Sequence, residues 1–125
     1  MFYKGKTYYR ISHEVNSSVD SYIDELSTWS LNKKNAVLQV GDTIKACPQI
    51  GGTNYYRKSV PLYSEKEDCF LGYLPRSGIN RDVYNWIAIG KYAELKIIGI
   101  TYNDKKPSRV SISILFREKI DTLAS

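Results

Sequence analysis

Histidine appears once in this sequence, at His13, and cysteine twice, at Cys47 and Cys69, with no close cysteine pair. That set argues against a zinc site, which draws mainly on Cys and His ligands at short spacings; no metal or other cofactor is expected. No stretch approaches the roughly 20 apolar residues that cross a bilayer, so no membrane partner is expected either. The opening MFYKGKTYYR has no apolar run of the kind a signal peptide carries. The expected setting is the cytoplasm, with both thiols reduced and buried. A phosphate-cradling Gly-rich loop and a nucleophile elbow are also missing. The carboxylates of Asp24/Glu25 and of Glu65/Glu67/Asp68 fall on an expected helix face and in a charged turn, where solvated charge is the ordinary reading. His13 has no companion that the sequence places nearby. We therefore expect no enzymatic activity.

What is present fits one folded domain. The 125 residues are 42% hydrophobic and 25% charged, enough for one modest core and too apolar for disorder. No internal repeat, linker or low-complexity stretch divides residues 1–125. Tyrosine is the outlier, with 11 residues against 3 phenylalanines; its hydroxyl wants a partner or water, so many of these rings should be half exposed. The net charge of +5 is compatible with a polyanionic partner.

Along the chain, Thr7–Ile11 (TYYRI) reads as a first strand. Val19, Tyr22, Ile23, Leu26 and Trp29 recur at spacings of three and four, which predicts a helix capped by Ser17 or Ser18 and spanning about residues 18–31. Thr43–Cys47, Ser59–Tyr63 and Cys69–Leu74 read as strands, the last two joined by the charged turn Ser64–Asp68. Pro61 cannot donate to a ladder, so it should lie on an edge or at a bulge. Asn80 can cap a short helix carrying Val83, Trp86 and Ile87. Tyr92–Tyr102 and Arg109–Phe116 are strands joined across Asn103–Ser108, and the polar tail from Arg117 should fray. Both Trp29 and Trp86 are expected in the core. The resulting class is α+β, mainly β: a small, partly open β-barrel of about six strands with two short helices.

Aromatic residues interleaved with cations recur at Tyr8-Tyr9-Arg10, Tyr55-Tyr56-Arg57-Lys58 and Tyr73-Leu74-Pro75-Arg76. Single-stranded nucleic acids are bound by this combination, rings stacking on bases and cations following phosphates. Strand alternation gives one outward ring per adjacent tyrosine pair, the other packing inward.

The order of these signals matters more than any one of them. Gly41-Asp42 precedes a strand; Asn54-Tyr55-Tyr56-Arg57 leads into Ser59–Tyr63; Leu71-Gly72-Tyr73-Leu74-Pro75-Arg76 ends the next strand; a short helix and Tyr92–Ile100 follow. Over about residues 40–116 this resembles the HIRAN domain, a small barrel found attached to helicases and nucleases and alone in bacteria and phages. Its pattern is a "GD" turn, an "NPYD" loop, an "AI-V" strand and a "GY-P-R" strand end; only Leu71–Arg76 matches almost literally. The helix expected near residues 18–31 would be an insertion. The resemblance implies single-stranded DNA held at its 3′ end in an aromatic and charged pocket. Tyr56, Tyr73 and Arg76 would line that pocket, with Asn54 a turn residue and Tyr8, Tyr9 and Arg10 supplying the aromatic and basic first strand. Tyr55 replaces the loop proline, and Arg57 stands where the family has an aspartate for the terminal hydroxyl. A cation cannot accept that hydrogen bond but suits a phosphate.

The sequence-stated expectation is a module that binds nucleic acid, single-stranded DNA favoured, through Tyr9, Tyr56 and Tyr73 on bases and Arg10, Arg57, Lys58 and Arg76 on phosphates. The alternative is a phage- or mobile-element-type inhibitor or adaptor that binds a host nuclease or another nucleic-acid-processing protein, with Trp29 or Trp86 as an interface anchor.

Overall fold

The computed structural model describes residues 13–49 and 59–118. Its elements are β1 (Ser18–Tyr22), α1 (Thr28–Lys33), β2 (Thr43–Ala46), β3 (Pro61–Ser64), β4 (Cys69–Tyr73), α2 (Gly78–Ala88), β5 (Tyr92–Asn103) and β6 (Lys106–Arg117). The six strands form one antiparallel sheet in the order β1-β6-β5-β2-β3-β4, curled into a half-barrel with two short helices. The expected partly open, mainly β barrel is the observed architecture. The first expected strand, Thr7–Ile11, and the tail from residue 119 lie outside the described residues.

Inward positions follow strand alternation. Ala93, Leu95 and Ile97 of β5 lie side by side with Phe116, Ile114 and Ile112 of β6 and, with Val110, join Ile44, Leu62 and Leu71 in one continuous core. The half-barrel is drawn together at its free edges. Asp24 and Tyr73 exchange both backbone bonds, at 2.7 and 2.9 Å, and Ser27 N–H donates to the Leu71 carbonyl at 2.8 Å. The chain leaving β1 at one end of the strand order thus stitches itself to β4 at the other.

Three expectations fail here for identifiable reasons. The helix expected over about residues 18–31 is instead β1, a crossing segment and the short α1. Val19 and Ile23 lie four apart, a spacing that suits period 2 as well as 3.6. β6 then decides: residues Ser18–Tyr22 pair with Leu115–Ser111 along its edge. Ser27, whose Oγ accepts from Ser30 N–H at 3.3 Å, caps α1. Trp29 in that helix is 69% exposed, not core, with the Lys33 ammonium 4.8 Å from its ring centre. Asn80 does not cap α2, which starts after Ser77; its buried Oδ1 accepts from Val60 N–H at 3.1 Å and ties the helix to the start of β3.

Pro61 is the first residue of β3, an interior strand, and sits beside the register shift at Leu62/Tyr63. The missing donor is tolerated at a strand start next to a bulge.

Cys69 is buried, but Cys47, just past the end of β2, is exposed, contrary to the expectation of two buried thiols. Burial pushes the Cys69 thiol above its ordinary pKa; Glu67 and Asp68 add to this and Lys34 opposes it. Iodoacetamide at mildly alkaline pH should therefore label one thiol of the folded protein, Cys47, and two after urea unfolding, read by mass spectrometry. Labelling of both in the fold would contradict the burial of Cys69.

α2 lies across the rim where β2 and β6 end and β3 and β5 begin. Trp86, 1% exposed, donates its indole N–H to the carbonyls of Tyr92 and Arg117, both at 2.9 Å. Its ring meets Phe116 edge-on, with centroids 5.2 Å apart. His13 stacks flat on the same Phe116 at 4.2 Å, and its Nε2 lies 2.9 Å from Asp82 Oδ2 on α2. The companion that the sequence could not place for His13 is thus Asp82, four residues before Trp86.

Candidate nucleic-acid interface

The outer face of β2, β3 and β4 carries an aromatic row. Tyr63 of β3 pairs with Phe70 of β4, and their rings meet at 5.5 Å and 64°; Phe70 meets Tyr73 at 5.3 Å and 72°. All three are partly exposed, while their neighbours Leu62, Ser64, Cys69 and Leu71 are buried.

A bulge creates this row. Phe70 and Tyr73 are three residues apart, an odd separation that regular alternation sends to opposite faces. Between the pairs Tyr63–Phe70 and Leu62–Gly72, β3 advances one residue and β4 two, so Leu71 is extra. The shift turns Tyr73 back to the face that holds Phe70. Gly72 permits it: its φ is +148°, and it lies directly beneath the crossing residues 23–25.

Cations border the rings on two sides. Lys45 of β2 pairs in register with Tyr63 and is exposed, and Arg76 follows β4 and is exposed. Among the described residues neither forms an ion pair. Acidic groups border the row as well: Glu65, Glu67 and Asp68 lie in the β3–β4 turn, and Asp24 lies opposite Tyr73, its Oδ1 accepting from Glu25 N–H at 3.1 Å. Phosphates are therefore favoured toward Lys45 and Arg76 and disfavoured toward the turn and toward Asp24.

Of the site residues expected from the sequence, Tyr73 lies in this row, and Arg76 is exposed three residues after it, past the end of β4. Tyr9, Arg10, Tyr56, Arg57 and Lys58 lie outside the described residues. The sequence reading missed Lys45, Tyr63 and Phe70. Lys45 and Tyr63 were recoverable from alternation in TIKAC and SVPLY; Phe70 was not, because the bulge that aligns it with Tyr73 has no local signature.

Beside the row, pairing of β2 with β5 stops at Ile44–Leu95, and a cleft of about 280 Å³ opens between Ala46, Cys47, Ile87, Tyr92 and Ala93, with Lys45 and Lys91 at its margin. Burial, then the nearby Glu94 carboxylate, raise the Tyr92 hydroxyl pKa, so that phenol is neutral at physiological pH. Among the described residues, no three His, Cys, Asp or Glu side chains cluster to hold a metal ion, and no helix is long and apolar enough to cross a membrane. No protein-family model, curated protein or solved structure matches this chain.

Proposed function

We propose that this protein is a nucleic-acid-binding module that takes a single strand across the outer face of β2, β3 and β4. The observation that carries the reading is the row Tyr63–Phe70–Tyr73, three partly exposed rings on one curled sheet, with the exposed cations Lys45 in register with Tyr63 and Arg76 just past β4, neither in an ion pair among the described residues. Exposed rings on a sheet with cations nearby are a sequence-tolerant way to hold unstacked bases and their phosphates. The HIRAN-like order of motifs supports the same class of ligand, and by that resemblance Tyr73 and Arg76 would contact it. With an arginine at position 57, the proposal is for strand and phosphate binding rather than capture of a 3′ hydroxyl.

Fluorescence anisotropy with a labelled single-stranded DNA tests this. Phe70→Ala should weaken binding about tenfold, within the roughly 1–3 kcal/mol that one stacked base contributes, and leave the salt dependence intact. Lys45→Ala and Arg76→Ala should each flatten the slope of log K against log salt by about 0.7. Wild-type affinity in all three variants would sink the proposal.

A second reading, a protein inhibitor or adaptor of a nucleic-acid-processing enzyme, draws on Trp29, an exposed tryptophan on a helix packed against β4. Such residues are favoured interface anchors. On this reading a partner retained from nuclease-treated lysate is lost in Trp29→Ala, and bare nucleic acid binds weakly.

A further inference from the structure

β5 and β6 outrun the barrel. β2 pairs with β5 only at Thr43–Lys96 and Ile44–Leu95, and the chain of β1 leaves β6 after Ser111, with a last bond from Ile23 N–H to the Val110 carbonyl at 2.9 Å. From Thr101–Arg109 to Asn103–Lys106 the two strands pair only with each other. They form a ribbon of about 10 Å at 3.3 Å per residue, leaving the rim opposite to the one α2 covers. Its charged residues are Asp104, Lys105, Lys106 and Arg109, three cations against one carboxylate, all exposed. Among the described residues the two lysines form no ion pair, and the exposed Arg109 sets its guanidinium 4.5 Å from the centre of the Tyr22 ring. Tyr102, 56% exposed, projects near the tip.

The tip breaks a local rule. Asp104 and Lys105 have φ of +52° and +67°, the paired positive values of a two-residue type I′ turn. Glycine is the favoured second residue there, because a Cβ is crowded in the left-handed region. The chain carries lysine instead, at the point of the ribbon farthest from the core. Departures of this kind, without a packing reason, collect at functional positions.

We propose that this ribbon is a second, separate contact that enters the major groove of duplex DNA, with Lys105, Lys106 and Arg109 on backbone phosphates and Tyr102 toward the groove floor. A two-stranded ribbon fits the B-form major groove, about 12 Å wide, whereas the A-form groove of duplex RNA is too narrow to admit it. This goes beyond single-strand binding by the aromatic row. Together the two surfaces suit a substrate that joins duplex and single strand.

The test uses anisotropy with a labelled duplex DNA, the matching duplex RNA and the single strand, across a salt series. The triple variant Lys105→Ala/Lys106→Ala/Arg109→Ala should lose about tenfold or more in duplex DNA affinity, and its salt slope should flatten by about 2–3. Lys105→Gly separates binding from folding: it should raise Tm by relieving the turn while still weakening duplex binding and flattening the slope by about 0.9. Single-strand affinity, which reads the aromatic row, should hold in both. An unchanged duplex slope in the triple variant would overturn the assignment. So would equal losses on single strand and duplex, or duplex RNA binding as tight as duplex DNA.

Discussion

Gly72→Ala should cost about 3–5 kcal/mol, a large part of the stability of a domain this size. A Cβ at this position would lie 2.5 Å from the Asp24 carbonyl oxygen, 2.7 Å from Ile23 Cγ2 and 3.0 Å from the Glu25 carbonyl oxygen. Two of those three atoms are backbone and cannot rotate away. The crossing segment would have to withdraw, and with it the two Asp24–Tyr73 bonds and the Ser27–Leu71 bond that close the half-barrel. Three hydrogen bonds at about 1 kcal/mol each account for most of the loss, and a φ of +148° adds about 1 kcal/mol for any residue with a Cβ. Gly90→Ala is the internal control: φ is +93° there, but nothing lies within 4 Å of the added carbon, so only the conformational cost of about 1 kcal/mol applies. Urea unfolding reads both as shifts in midpoint. Equal midpoints for the two variants would mean that residues 23–25 do not hold the edges together. Because the same glycine lets the bulge turn Tyr73 outward, the folded fraction of Gly72→Ala should also bind single strands less well.

The seam also marks where the sequence stops being readable. Strands with uninterrupted alternation, such as Val110-Ser111-Ile112-Ser113-Ile114, declare both their type and their buried face. The partly open barrel followed from counting such segments. The stretch from Val19 to Trp29 did not yield to the same logic, since Val19 and Ile23 satisfy strand and helix spacing alike, and the unpaired edge of β6 settled the matter from nearly a hundred residues away. Tertiary pairing overrides local pattern in this way whenever an edge strand needs a partner. Tyr73 and Arg76 were legible because a ring and a cation end one strand together. Phe70 joins them only through an extra residue that no local sequence rule announces. The ribbon was half visible: Asn103–Ser108 reads as a turn, but the places where β1 and β2 stop pairing decide how far it protrudes.

Trp86→Ala should cost about 4 kcal/mol or more, and Trp86→Phe about 2 kcal/mol, and the gap between them is informative. Truncation to alanine empties the space under α2 and removes the edge-on contact with Phe116, a change worth about 3–5 kcal/mol for a buried tryptophan. Phenylalanine keeps most of the apolar volume but leaves the Tyr92 and Arg117 carbonyls without the indole N–H that both accept. An abandoned buried acceptor costs about 1–3 kcal/mol. Those two residues are partners in the β5–β6 ladder, so the indole clamps the helix to the base of the longest hairpin in the sheet. Trp29→Phe makes the measurement clean, because Trp29 is exposed and Trp86 is the second of two tryptophans in the chain. The remaining indole should emit at short wavelength, resist acrylamide and shift red only at the unfolding transition. In that background, stability is read from the Trp86 signal for the reference and by circular dichroism for Trp86→Phe and Trp86→Ala. A phenylalanine variant as stable as the reference would show that apolar packing alone holds α2 in place. A phenylalanine variant as weak as alanine would assign its anchoring mainly to the two hydrogen bonds at the rim.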